Sequence, residues 1–273
     1  MSHDLLKLCD PNAYYDQFLL NSIYPDGRPV ESFRQISLQM SVADSLSGSC
    51  LVRQGGVSLT CRLEPFLAAV SDAPCIQCEV CSAPDLDKEL INDIKDFIDQ
   101  LVGQNAFYTR ESLLTAGGRL TWLLHLHVMI LNVDGPIHSA LTACLTGAFM
   151  DLRLPSVTVD VDPDVPVDIS KAVVSSKYSY FQLADLPVAS CFMYYDPPNA
   201  KPLILCDPIS ALIPIIPGLI VITVGNNGRI HRIWQRGSCG DTSVLQRMIK
   251  LAVERQRIVA GTLAKAREKH QNK

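Results

Sequence analysis

Between residues 120 and 133 the chain is apolar at both alternating positions, with Trp122, Leu124, Leu126, Val128 and Ile130 on one side and Leu123, Met129 and Leu131 on the other. Successive side chains of a strand point to opposite faces, so this run predicts a central strand covered on both sides. Asp134-Gly135-Pro136 then signals a turn, and residues 137–152 carry Ala140, Ala143, Gly147 and Ala148, small enough for a helix to lie close on a sheet. Leu154-Pro155 is expected to stop that helix. A buried strand feeding a small-residue helix constrains the fold to mixed sheets with packed helices, the α+β class.

The flanking sequence extends the pattern. Residues 14–20 predict a short helix, ended by the turn signal Tyr24-Pro25-Asp26-Gly27. Phe33, Ile36, Leu38, Met40 and Val42 mostly alternate with polar residues, and segments 51–53 and 57–63 flank Gly55-Gly56 as in a hairpin, giving a small antiparallel meander. Leu86, Leu90, Ile94, Phe97, Ile98 and Leu101 recur at helical spacing, so residues 85–102 predict an amphipathic helix over a sheet. Segment 160–171, with Pro163, Pro166 and several aspartates, reads as a surface connection. Strand patterns return at 188–194 and 203–206, and Gly225-Asn226-Asn227-Gly228 joins 219–224 to 230–234. Asp241-Thr242-Ser243 caps a long last helix whose apolar stripe is Val244, Met248, Leu251, Ile258 and Leu263, ending in a basic tail. The expectation is one domain over residues 1–273, with similar halves at about 24–155 and 186–270 and a connection at about 160–185.

From residue 208 to 225 no charge appears, yet Pro208, Pro214 and the Pro217-Gly218 break oppose a membrane helix, and residues 219–224 read as a buried β-branched strand. Hydrophobic residues make up 48% and charged residues 19%, which favours burial against partners. Lys and Arg number 24 against 28 Asp and Glu, so any nucleic-acid contact must be local or shared. The first ten residues include Asp4, Lys7 and Asp10 and no long apolar run, so no signal peptide is expected and the ten cysteines read as reduced thiols.

Four constellations could carry chemistry. Cys75, Cys78 and Cys81 form C-x-x-C-x-x-C, an incomplete metal motif without a nearby fourth ligand, so free thiols are the expectation and a metal-binding interaction module the alternative. His125 and His127 share a strand face, as some metal ligands do, although satisfied core histidines are the plainer reading. Cys239, His231 and Asp241 have the residue types of a nucleophile, a base and an orienting acid. Arg247, Lys250, Arg255, Arg257, Lys265, Arg267 and Lys269 make the last helix basic, for which a solvated face is the default and RNA or an acidic neighbour the functional alternative.

Three stretches resemble the ribonuclease PH family: Tyr24-Pro25-Asp26-Gly27-Arg28 followed by Phe33-Arg34, Gly48-Ser49-Cys50-Leu51-Val52 with Gly55 and Thr60, and Asp134-Gly135 opening the Ala-rich helix. Residues 186–190 and Cys206-Asp207-Pro208 extend the likeness into the second half. Within that family the chain is most similar to non-catalytic ring subunits of the RNA exosome. The resemblance implies a ribonuclease-PH-like fold and a subunit that supports 3'-to-5' RNA processing by shaping a shared RNA channel. Its implied partners are other ribonuclease-PH-like subunits and RNA-binding cap subunits, without membrane or cofactor, in nucleus, nucleolus and cytoplasm. Active relatives carry Gly-Thr-Arg or Gly-Ser-Arg where this chain has Pro136-Ile137-His138, which lacks an amide donor, a hydroxyl and a guanidinium fork for phosphate. Their acidic cluster is replaced by residues 207–213, in which only Asp207 is acidic and is expected to be structural. The arginine-bearing loop of relatives is absent between Ser82 and Glu89, leaving Arg62, Arg110 and Arg119 as candidate RNA contacts and no candidate catalytic residue. The enzymatic alternative is a phosphate-dependent 3' exoribonuclease with a rearranged site.

Overall fold

The computed structural model describes residues 3–42, 48–83, 86–159, 169–197, 200–238 and 240–271. Two helices open it, α1 (His3–Cys9) and α2 (Pro11–Leu19), and the Asp10 side chain caps the second by accepting from the Ala13 amide. The helix expected at 14–20 is thus the C-terminal part of α2. β1 (Ile36–Met40), β2 (Gly48–Gln54) and β3 (Val57–Ala69) make the expected meander, with Gln54 opposite Val57 across Gly55-Gly56. β4 (Ile76–Ser82), which includes Cys78 and Cys81, is a strand the sequence reading missed. α3 (Lys88–Gly103) starts later than its periodicity because Asp87 takes extended backbone and caps the Glu89 amide. Residues 84 and 85 of the preceding loop lie outside the described residues.

β5 (Leu114–Thr115) and the central strand β6 (Leu120–Asn132) complete a six-stranded sheet of order β1-β2-β3-β6-β4, with β5 also on β6 and β4 parallel to it. α4 (His138–Asp151) follows. Leu154-Pro155 does not end it: extended backbone at Leu152 does, and both residues lie in β7 (Arg153–Val159), with Pro155 at an irregularity in its pairing with β8 (Ala172–Tyr180). Within the expected connection at about 160–185, β8 runs from Ala172 to Tyr180, and residues 160–168 lie outside the described residues.

β9 (Val188–Tyr195), β10 (Leu203–Cys206), β11 (Leu219–Val224) and β12 (Ile230–Arg236) form a second sheet of order β10-β9-β11-β12, and α5 (Thr242–Gln271) closes the chain. α4 packs on β2, β3 and β9 and so fills the space between the sheets. Its closest approach is at Gly48, where a Cβ would lie 2.1 Å from the Ala148 carbonyl oxygen. Period-two patterning divides the second sheet: Ala189, Cys191 and Val221 join the cluster around α4, while Phe192, Ile220 and Ile222 pack with Met248 and Ala252 of α5. Both faces of β11 are covered, which accounts for the uncharged run, and among the described residues no helix is long and apolar enough to cross a membrane. The buried stripe of α5 is Met248, Ala252, Val259 and Leu263 with Arg255 and Gln256, whereas Ile258, one position off this spacing, is 62% exposed.

Candidate functional site

The turns that end β6 and β10 meet at one side chain. Arg34 holds Asp207 in a two-point grip, Nε to Oδ2 and Nη2 to Oδ1 at 2.8 Å each, and its Nη1 reaches the Asp134 carbonyl at 2.9 Å and carboxylate at 3.1 Å. The Arg34 amide and Gln54 Nε2 also donate to Asp207, and Ser139 donates to Gln54. Burial raises the Asp207 carboxyl's affinity for its proton, but hydrogen bonds and charge from Arg34, then Gln54, outweigh it and leave the group below the ordinary carboxylate range. Gly135 makes the meeting possible: at φ +98°, its Cβ would lie 2.3 Å from the Pro208 carbonyl oxygen. Arg255 backs the joint, donating to the Arg34 carbonyl at 3.2 Å with its guanidinium over Phe33.

At the start of α4, Ile137 offers no side-chain cap. His138 is wedged between Phe97, edge-on at 4.7 Å, and Trp234, stacked at 5.8 Å. Burial, then the positive charges of Arg232 and Arg236, lower its pKa to about 4, so the imidazole is neutral at pH 7. Arg232, Trp234 and Arg236 were not singled out from sequence. The signal was present as a basic, aromatic, basic alternation on one face of β12.

The three candidate RNA arginines are not brought together. Arg62, on the solvent face of β3, pairs with Glu64 at 3.0 Å. Arg110 donates to the Ser71 carbonyl, and Arg119 lies next to Leu120, which pairs with Ala69. These two therefore share one end of the β3–β6 ribbon, with Arg62 roughly 20 Å along the strand.

The other constellations separate on inspection of their elements. Strand alternation turns Cys78 inward, its thiol pushed up to about 12 by burial and then by Asp99, while Cys81 faces outward, so the cysteine triplet does not converge on one ion. Among the described residues no group of three His, Cys, Asp or Glu is placed to hold a metal, and the described cysteines are free. His125 and His127 do share a face, but it is the solvent face, not a core: His127 stands 3.1 Å from Glu79 and 4.0 Å from Glu64, and His125 lies on Phe66. His231 pairs with Asp185 at 2.8 Å and Asp241 caps α5, so no triad with Asp241 forms, and Cys239 lies outside the described residues. On α5, Arg255 is buried, Arg247 pairs with Glu31 and Arg267 lies over Tyr180, leaving Lys250, Arg257, Lys265 and Lys269 as its open basic surface.

No family model matches the chain. In sequence it is 24% identical over 198 residues to Exosome complex component rrp43 of Schizosaccharomyces pombe, covering 65% of this chain and 73% of that one. It is 23% identical over 158 residues to Exosome complex component Rrp42 of Methanothermobacter thermautotrophicus, covering 54% of this chain and 58% of that one. Among solved structures, an archaeal exosome core superimposes with TM-score 0.72 at 16% identity, covering 96% of this chain and 98% of that one. The Archaeoglobus fulgidus exosome with RNA bound to the active site gives 0.73 at 17% identity, covering 94% and 98%. Rice Rrp46 gives 0.60 at 11%, covering 88% and 97%. The chain is thus similar in sequence to exosome components and has the α+β fold of exosome core subunits, in keeping with the ribonuclease-PH-like motifs.

Proposed function

We propose that this ribonuclease-PH-like chain is a non-catalytic ring subunit of an RNA exosome, holding neighbouring subunits and lending wall to a shared RNA channel. The observation that carries the reading is the engagement of Asp207. It is the one acid of segment 207–213, and its oxygens are taken up by Arg34 and Gln54. A carboxylate so held, 1% exposed, is poorly placed to bind a metal or move a proton. The turn before α4 supports the same reading, because Pro136 lacks an amide donor, Ile137 lacks a hydroxyl and the His138 imidazole is neutral. The proposed partners are other ribonuclease-PH-like subunits and RNA-binding cap subunits, in nucleus, nucleolus and cytoplasm. Arg62, Arg110 and Arg119 are the proposed RNA contacts within the channel, and no cofactor is required.

The test has two arms. Purification of the chain from cells, with identification of what accompanies it, is expected to return ring and cap subunits in fixed ratio. The pure chain, incubated with single-stranded RNA, inorganic phosphate and Mg²⁺, is expected to release no nucleoside diphosphates. Sustained phosphate-dependent release would establish the exoribonuclease reading instead.

A further inference from the structure

β4 ends its sheet, paired with β6 and, among the described residues, with no other strand. The Leu124 amide donates to the Cys75 carbonyl and the Ala83 amide to the Ile130 carbonyl, so by the alternation of a parallel ladder Gln77, Glu79 and Cys81 also bond to β6. Ile76, Cys78 and Val80 therefore turn their N–H and C=O groups away from β6, and among the described residues no other element takes them up. Sheet edges are ordinarily blunted by proline, lysine, a bulge or a covering loop, yet β4 runs seven residues in unbroken register without proline or lysine. A groove of about 720 Å³ lies between its first half and α3, over the buried Cys75 and Val102. Ile76 and Cys78 point to the α3 side and Gln77 to the other, yet all three line the groove, which places it along the edge itself.

We infer that β4 is a docking edge for an extended segment of a partner protein, which joins the six-stranded sheet as one further strand. The inference goes beyond the ring-subunit reading and does not depend on it. The groups to be satisfied select the occupant: another extended backbone presents donors and acceptors at the repeat of roughly 6.6 Å at which alternate residues of a strand edge recur. Alternate side chains of the added strand fall on the α3 side. There Cys78 and Val102 suit apolar residues, and Lys95 and Arg110 balance Asp72 and Asp99, so no net charge is called for. The side chains between them fall on the open face beside Glu79, whose side chain is 66% exposed, and that carboxylate selects a basic residue. The partner segment is thus apolar at alternate residues and basic between them. A nucleic-acid strand lacks the alternating amides, and Glu79 opposes its phosphates.

The probe is a fluorescein-labelled heptapeptide of alternating valine and lysine with blocked ends, titrated into the full chain and followed by anisotropy and by amide hydrogen exchange. Exchange at the Ile76, Cys78 and Val80 amides is expected to slow on binding, while the Gln77, Glu79 and Cys81 amides, already bonded to β6, hardly change. Methylating every second peptide nitrogen blocks one edge of the peptide and spares the other, so one of the two patterns should weaken binding about tenfold or more and the other less than about threefold. Val80→Pro removes an outward amide and no bond to β6, and should weaken binding about tenfold, with its melting checked first. Glu79→Gln should weaken it about two- to fivefold. The methylated pair leaves the protein unaltered and so decides the matter even if Val80→Pro does not fold. Absence of saturable binding up to about 1 mM would overturn the inference. So would equal effects of the two methylation patterns, or protection appearing at the exposed Val173 and Val174 of β8 instead. Protection of the Ile76, Cys78 and Val80 amides that grows with chain concentration in the absence of peptide would give the edge to a second copy of the chain and overturn the partner assignment.

Discussion

The two sheets begin from similar sequence and end in different surroundings. β6 and β11 are both apolar at nearly every position, yet β11 is buried on both faces whereas β6 leaves Met129 45% and Leu131 39% exposed beside His125 and His127. The difference lies in what covers them: β11 has the α4 side on one face and α5 on the other, while the sheet of β6 has α3 packed on β4 and α4 on β2 and β3, and the other face of β6 leaves these side chains open. The sequence mark is the pair of histidines on β6, opposite Glu64 and Arg62 on β3 and Gln77 and Glu79 on β4, against the absence of any charge on β11. Apolar length alone says that a strand is central, and its few polar residues say how many faces are covered.

The largest expected effect is at the joint between the sheets. Asp207→Asn keeps the shape and suits a residue at φ +49°, but leaves the buried Arg34 with only the partly exposed Asp134 as a charge partner, at a cost of about 3–5 kcal/mol. Asp134→Asn, at a side chain 36% exposed, costs about 1 kcal/mol or less. Chemical denaturation measures both. The Asp207 contribution is present above the ordinary carboxylate range and is lost as pH falls through the lowered native pKa, so the gap between wild type and Asp207→Asn should close in acid. Equal costs for the two substitutions would break the distinction between a buried and a surface turn.

Next comes the comparison of the strands themselves. Ile222→Ala on β11 opens a cavity among fully enclosed neighbours and costs about 2–5 kcal/mol, whereas Met129→Ala on β6 costs less than about 1 kcal/mol in the isolated chain. If Met129→Ala proves as costly, the outer face of the first sheet is covered after all.

Sequence patterning captured what depends on local order: the Gly55-Gly56 hairpin, the β11–β12 hairpin, the extent of β6 and the cap at Asp241. It missed β4, where Gln77, Glu79 and Cys81 on the open face leave only Ile76, Cys78 and Val80 to signal a strand, and the cysteine spacing drew attention to metal chemistry instead. It misjudged Leu154-Pro155, because proline is as admissible at an irregular strand position as after a helix. Of the candidate site, Asp207 was expected to be structural, and the fold sets Arg34 and Gln54 on its carboxylate. Its partner Arg34 was quoted as part of a motif without that partnership, since 173 residues separate them and pairing at that distance depends on the assembled fold.

A smaller effect tests the contact between a first-half side chain and the second sheet. His138 is neutral in the folded chain, with a pKa of about 4 against 6.5, so the unfolded chain binds its proton first and stability falls as pH drops from 6.5 towards 4. Between pH 7 and pH 5 this amounts to about 2 kcal/mol, and His138→Phe should remove that part of the acid sensitivity. A pH profile unchanged by the substitution would mean that neither burial nor the charges of Arg232 and Arg236 hold the imidazole neutral.

The smallest effects concern RNA, where the two halves again divide. The net charge of −4 gives the isolated chain no general attraction for a polyanion, so it should bind single strands weakly and with strong salt dependence, and binding should tighten when neighbours complete the channel. Arg110 and Arg119 share one end of the β3–β6 ribbon, while Arg62 lies farther along it and is paired with Glu64. One strand of RNA can therefore meet the first two together. Replacing both with glutamine in the assembled ring should lower the slope of log affinity against log salt by about 1 to 2, and Arg62→Gln should lower it by less than about 1. Neutralising Lys250, Arg257, Lys265 and Lys269 of α5, in the second half, serves as the comparison. A larger loss from α5 than from Arg110 and Arg119 would move the RNA-facing surface to the second half, and an isolated chain that matched the ring's affinity would end the shared-channel account.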